Sequence, residues 1–138
     1  GAAFESMRFK PVAPIMLFQA NEDIELEEIS VKKGQRILTQ HRFGSLQDEN
    51  FTEAGQFKPE RWMKEGKCPV HNLEAFSPFG GGARYCPGRN LAILEIRMVM
   101  SMLLKNFEVE LVTPYESVNE IMAFTMMSSP YEVRLRKI

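Results

Sequence analysis

The stretch FSPFGGGARYCPGRNLAILEIRMVM, residues 76–100, holds the side chains with the clearest chemical use. One cysteine, Cys86, sits between a glycine run and Gly88, flanked by Arg84 and Arg89 and followed by an apolar helical pattern. A thiol is a poor metal ligand; a thiolate is a strong one. Cys86 stands at the predicted start of a helix, where free backbone N–H groups and the helix dipole favour negative charge. Gly80, Gly81 and Gly82 let the backbone turn tightly and let a flat, bulky group approach it. Pro87 and Gly88 fix the step from loop to helix. Arg84 offers a fork of donors to a carboxylate, and Phe79 would cover the sulfur from water.

Together these residues describe a thiolate in a dry loop against a flat ligand that carries acids. That describes haem, with Arg84 on a propionate. Two other readings fit parts of the stretch. A lone cysteine is commonly a small buried hydrophobe, and a glycine-rich turn before a helix can cradle a phosphate. Neither calls for the whole pattern Phe79-x-x-Gly82-x-Arg84-x-Cys86-x-Gly88, which fixes the residue type at five positions.

FGGGARYCPG resembles the haem-binding signature of the cytochrome P-450 haem-thiolate enzymes. The resemblance implies that Cys86 is the catalytic axial ligand of the iron in haem b (iron protoporphyrin IX). It implies that Arg84 partners a propionate and that Phe79, Gly80, Gly82 and Gly88 shape the loop beneath the ring. The helix from Arg89 would back the haem.

Further segments join the resemblance. ESMR places Glu5 and Arg8 three residues apart on one helix face, by itself a solvated pair worth roughly 0.2–0.5 kcal/mol. FKPERW, residues 57–62, is by itself a loop with a proline turn. The family carries a Glu-x-x-Arg helix and a downstream Pro-Glu-Arg segment whose arginine joins that pair. A partly buried network of Glu5, Arg8 and Arg61 behind the haem loop is therefore implied, fixing the loop rather than adding net stability. HRF, residues 41–43, is similar to the family's His-Arg step, with Phe43 where Asp is usual. His41 is assigned to the cofactor side, bonding a backbone group or a propionate. By family position residues 12–16 and 125–129 reach the substrate pocket, which nominates Val12, Ala13, Ile15, Met126 and Met127. Without the family, TMMSS is a plain strand-to-strand turn. Cys68-Pro-Val-His71 has metal-like spacing, but no second pair completes a four-ligand zinc site.

The elements that must hold these residues are legible in outline. The chain has 138 residues, one domain at most, with 44% hydrophobic and 25% charged residues. Its net charge of −1 gives no case for nucleic acid. No apolar run reaches the ~18 residues of a membrane span, and no secretory signal is visible. Two cysteines, Cys68 and Cys86, are too few for a disulfide framework and suit a reducing compartment. Most of the nine methionines are expected to fill the core. FESMRF reads as a helix end that KPVAP stops. IMLFQA reads as a buried strand, and residues 21–40 as a hairpin: Ile24 and Leu26 alternate with acids, Lys33-Gly34 turns, and Ile37-Leu38 begins the return. Residues 41–75 lack periodicity, as a functional or wrapped connection would. Arg89 to Asn106 reads as one helix, with Leu91, Leu94, Met98, Met102 and Leu103 on one face. Phe107, Val109 and Leu111 alternate as a strand, YEVRLRKI as another, and AFTMMSSP turns between strands.

The expected fold class is α+β: the C-terminal portion of the cytochrome P-450 fold, with one long helix after the cysteine loop, a helix stub and several short strands. Residues 1–138 are expected to be the C-terminal haem-binding part, with the oxygen-activating region before Gly1. The resemblance implies NAD(P)H- and O2-dependent monooxygenation of a small organic substrate in the full-length enzyme, fed by a redox partner. The alternatives are a haem-thiolate isomerase or dehydratase, or a truncated non-catalytic fragment that self-associates through the long helix. The 138 residues alone are expected to be inactive. The expected location is cytoplasmic, with no membrane segment in this chain.

Overall fold

A computed structural model describes residues 1–63, 71–123 and 125–138. Helix α1 (Ala2–Phe9) ends where Pro11 removes the next backbone donor, and the Lys10 amide closes the last turn on Ser6 O at 2.8 Å. Strand β1 (Ile15–Gln19) pairs antiparallel with β4 (Arg36–Gln40), with Leu17 opposite Leu38. Between them β2 (Ile24–Leu26) and β3 (Ile29–Val31) make their own hairpin, turning at Glu27 with φ +51°.

This corrects the expected hairpin of residues 21–40. The turn at Lys33-Gly34 is present, with Gly34 at φ +84°. However, Gly34 N donates to Ala20 O at 2.8 Å, and Ala20 N donates to Gln35 O at 2.9 Å. Those bonds hand the return strand to β1 instead of β2. Alternation shows that a segment is a strand but not which strand it joins. Nor is β1 a buried strand: in this two-stranded ribbon Leu17 is 63% exposed.

A short helix α2 (His41–Ser45) follows β4 directly. Residues 46–58 then wrap around α1, and a 3-10 turn at Pro59–Trp62 closes the wrap. Helix α3 (Arg89–Asn106) starts after Pro87-Gly88, with Ala92 N on Gly88 O at 2.9 Å. Its 18 residues span about 27 Å. Strand β5 (Phe107–Leu111) runs straight on from it and pairs with β8 (Val133–Lys137). Strands β6 (Glu120–Met122) and β7 (Met126–Ser128) form a further hairpin. Met126, Met127 and Ser128 are therefore strand, not the turn expected of AFTMMSSP.

The buried centre is small and charged. Glu5, Arg8, Phe51 and Ala54 are inaccessible, with Arg61, Ser45, Ala20, Val31 and Met126 nearly so. Met126 is the one buried methionine of nine, so the rest are not core filler in this chain. The face of α3 carrying Leu91, Leu94, Met98 and Met102 stays exposed. No helix of the described residues is long and apolar enough to cross a membrane.

Candidate functional site

Cys86 lies between the 3-10 turn Gly82–Arg84 and α3, and its side chain is half-buried. Its amide donates to Phe79 O at 2.9 Å, closing the loop on itself. Gly80 N on Ser77 O (3.0 Å) and Tyr85 N on Gly82 O (3.2 Å) brace the same loop. Gly80 and Gly82 have φ of +70° and +59°, which side-chain-bearing residues rarely adopt. A Cβ added at Gly81 or Gly82 would meet nothing within 4 Å, so the loop faces open space. At Gly88 a Cβ would lie 3.8 Å from Cys86 Sγ. Phe79 is half-buried, with the Arg89 guanidinium 6.0 Å from its ring centre. Arg84 is exposed, and no side-chain ion pair holds it among the described residues.

The start of this loop is pinned from behind. Phe76 packs on Trp62 at 4.7 Å between ring centres and lies edge-on to Phe4 at 6.4 Å. Ser77 Oγ is 2.7 Å from His41 Nδ1, and Thr39 Oγ1 is 3.2 Å from His41 Nε2. Both His41 nitrogens thus meet hydroxyl groups among the described residues; of the two expected partners, a backbone group or a propionate, the backbone group is not seen.

Trp62 connects the loop to the buried charges. From the described residues the Glu5 carboxylate accepts five bonds: Arg8 Nη2 (2.7 Å), Arg61 Nε (3.0 Å) and the Lys58 amide (2.8 Å) on Oε1, Arg8 Nε (3.0 Å) and Trp62 Nε1 (2.7 Å) on Oε2. Burial pushes this carboxyl up, but the bonds from Arg8, Lys58 and Trp62 and the Arg8 charge outweigh it and hold it at about 2. Two guanidiniums share this carboxylate. Carbonyl oxygens take further donors of both: Arg8 donates to Ser45, Ala54 and Gln56, and Arg61 to Thr52, Glu53 and Gln56. These bonds explain why residues 45–56 are ordered with so little periodicity. The whole wrap folds around a charge pair on α1 and the 3-10 turn.

The two nominated pocket segments also meet. Met126 N donates to Val12 O at 2.8 Å. Val12, Ile15 and Met127 are exposed, Ala13 is half-buried, and Met126 is buried. Of the Cys-x-x-His pair, Cys68 lies outside the described residues. His71 packs between Trp62 and Phe51, at 4.6 and 5.1 Å between ring centres. No cluster of three or more His, Cys, Asp or Glu among the described residues is placed to hold a metal ion.

The family model for cytochrome P-450 matches residues 3–135. The chain belongs to the cytochrome P-450 family. It is 33% identical to ecdysone 20-monooxygenase of Drosophila melanogaster over 117 residues, 82% of this chain and 22% of that protein. Against mitochondrial 25-hydroxyvitamin D-1 alpha hydroxylase of Homo sapiens it is 35% identical over 106 residues, 77% of this chain and 20% of that protein. The crystal structure of a cytochrome P-450 heme domain superposes on 98% of this chain and 30% of that one, with a TM-score of 0.85 at 24% identity, which shows the fold. The chain thus spans about a fifth of the length of the curated relatives it matches.

Cytochromes P-450 bind haem, and the cysteine loop of this P-450 chain fits that group. The half-buried sulfur sits beside glycines whose outer sides are open, so a flat ring could approach without a side chain in its way. Sequence reasoning missed Trp62, the Lys58 amide and the ring of carbonyls around Arg8 and Arg61. The tryptophan directly after Pro-Glu-Arg was a usable signal; the backbone partners left none.

Proposed function

We propose that residues 1–138 are the C-terminal haem-binding part of a cytochrome P-450 monooxygenase, with Cys86 as axial ligand of haem b. Bound haem supplies the iron at which oxygen is activated, and a cysteine thiolate donates electron density that favours O–O cleavage. Cys86 would hold the iron through its sulfur. The glycine loop keeps side chains off the ring face, and Phe79 shields the sulfur. Arg84, exposed and without an ion pair among the described residues, is the donor for a propionate. His41 reaches the same side only by giving up a hydroxyl partner, Ser77 or Thr39. Val12, Ala13, Ile15, Met126 and Met127 line the pocket for a small organic substrate. The whole protein uses NAD(P)H-derived electrons from a redox partner and O2. Relatives named as a monooxygenase and a hydroxylase favour this chemistry.

The observation that carries this reading is the Cys86 loop. It is a half-buried sulfur at the start of an 18-residue helix, braced by the Cys86–Phe79 backbone bond and open over Gly81 and Gly82. The test is one spectrum. The haem-loaded, reduced protein with CO is expected to show the red-shifted Soret band of thiolate-ligated haem, and Cys86→Ala to lose it while keeping its fold. A band that survives Cys86→Ala assigns the ligand elsewhere. The purified 138-residue chain is expected not to hydroxylate, since it spans about a fifth of its relatives.

A further inference from the structure

Arg42 ties together segments that are distant in sequence. Its Nε donates to Phe9 O at 3.0 Å, and its amide to Pro14 O at 3.4 Å. Its fork donates to both Glu120 oxygens, at 2.6 and 2.9 Å. Nη1 also lies 3.6 Å from Sδ of the buried Met126. Lys10 Nζ adds a second cation, 3.2 Å from the same carboxylate. The end of α1, helix α2 and the β6–β7 hairpin therefore meet at one guanidinium, while the Arg42 amide holds the connection to β1. The Arg42 and Glu120 side chains are only 25% and 35% exposed. A two-pronged arginine–carboxylate bond fixes angle as well as distance. A lysine or glutamine in its place would leave the hairpin free to pivot.

We infer that Arg42, through its fork to Glu120 and its contact with the buried Met126 behind the strand, is a positioning residue that sets the spacing between two apolar walls, Val12 and Ile15 on one side and the exposed Met127 on the other. This rests on the proposed reading of those segments as the substrate pocket. The two walls come from separate segments, residues 12–15 at the entry to β1 and strand β7, joined by the Met126–Val12 backbone bond, and the charged fork stops them sliding or splaying. The ligand this geometry selects is a compact apolar molecule wide enough to touch both walls. A ligand that reaches only the iron is indifferent to the spacing.

The test uses two azoles on the haem-loaded full-length protein, followed by the Soret shift on binding. Imidazole reads the iron alone; 1-phenylimidazole also reads the walls. Arg42→Gln and the milder Glu120→Gln are each expected to weaken 1-phenylimidazole by roughly tenfold while imidazole binding is unchanged. Glu120→Asp, which keeps the charge, is expected to recover part of the loss. If both azoles bind as in the parent, or both weaken alike, Arg42 does not set the wall spacing. Should Arg42→Gln not fold, Glu120→Gln alone decides. No azole shift in the parent protein sinks the haem reading, and this inference with it.

Discussion

The indole Nε1 of Trp62 donates to Oε2 of Glu5 at 2.7 Å, while the same ring packs on Phe76 at the head of the cysteine loop. One side chain thus joins the buried charge network to the loop that carries Cys86. The network fixes where Trp62 sits, Trp62 fixes Phe76, and the loop begins one residue later. Trp62→Phe keeps an aromatic ring but removes the donor and part of the indole's volume. Losing a bond to a buried carboxylate is expected to cost about 1.5–3 kcal/mol in urea unfolding. Faster haem loss is expected beside it, because the loop's rear anchor loosens. A change within the scatter of surface substitutions would show that the ring alone carries the link.

Glu5 makes stability depend on acid. Its carboxyl titrates at about 2 in the folded protein against 4.5 as the ordinary value. A lowered folded value means that the stabilisation is fully present above about 4.5 and is lost as pH falls towards 2. The shift corresponds to about 3 kcal/mol over that window. Glu5→Gln is expected to destabilise the protein strongly at pH 7, by roughly 3–5 kcal/mol, because the fully buried Arg8 then loses its ion-pair partner. It is also expected to flatten the pH dependence between 4.5 and 2. Circular dichroism melts across that range measure both. An equally steep acid limb in Glu5→Gln would move the effect to another carboxylate.

How much of this was legible in the sequence follows from what each feature depends on. Cys86, Arg84 and the glycines stand at fixed offsets in one loop, so their types alone were enough to nominate them. Glu5, Arg8 and Arg61 were legible through resemblance, since fifty-odd intervening residues hide their contact from any local pattern. The pairing of β1 with β4 was not legible, because alternation is the same whichever partner a strand takes. The wrap at residues 45–56 was read as pattern-free, correctly, but its order comes from carbonyls bonded to Arg8 and Arg61, and every residue type has a carbonyl. The stripe on α3 was read rightly as apolar. Periodicity identifies a face able to be buried, not a neighbour that buries it.

His71 gives a second pH effect, of the opposite chemical type. Its Nε2 is buried and unpartnered, wedged against Trp62 and Phe51. Burial lowers its imidazole below the ordinary 6.5, and the Arg61 and Arg8 charges add to this, against Glu5 and an Arg61 backbone bond. A base whose folded value is lowered takes up its proton more readily when unfolded. Stability is therefore full above 6.5 and falls as pH drops below it. His71→Phe keeps an aromatic ring in the wedge and removes the orphan nitrogen. The variant is expected to lose the stability slope just below 6.5 while keeping the Glu5 limb. Identical slopes for the two proteins in urea titrations at pH 5 to 7 would rule His71 out as the source.

The exposed face of α3 predicts association. Leu91, Leu94, Met98 and Met102 lie on one side of the helix, each more than half exposed. A continuous apolar stripe of this kind is costly in water and seeks cover. The haem-free 138-residue chain is expected to self-associate as its concentration rises, with the stripe in the contact. Leu94→Lys with Met98→Lys places two charges in the middle of the stripe, one turn apart, without breaking the helix. Sedimentation velocity is expected to show the double variant as monomer under conditions where the parent is not, with equal helix content by circular dichroism. Equal sedimentation of the two proteins would remove α3 from the contact. A monomeric parent at every concentration would mean that the face is tolerated bare. The double substitution is surface-exposed in this chain, so its folding cost is expected to stay within about 0.5 kcal/mol.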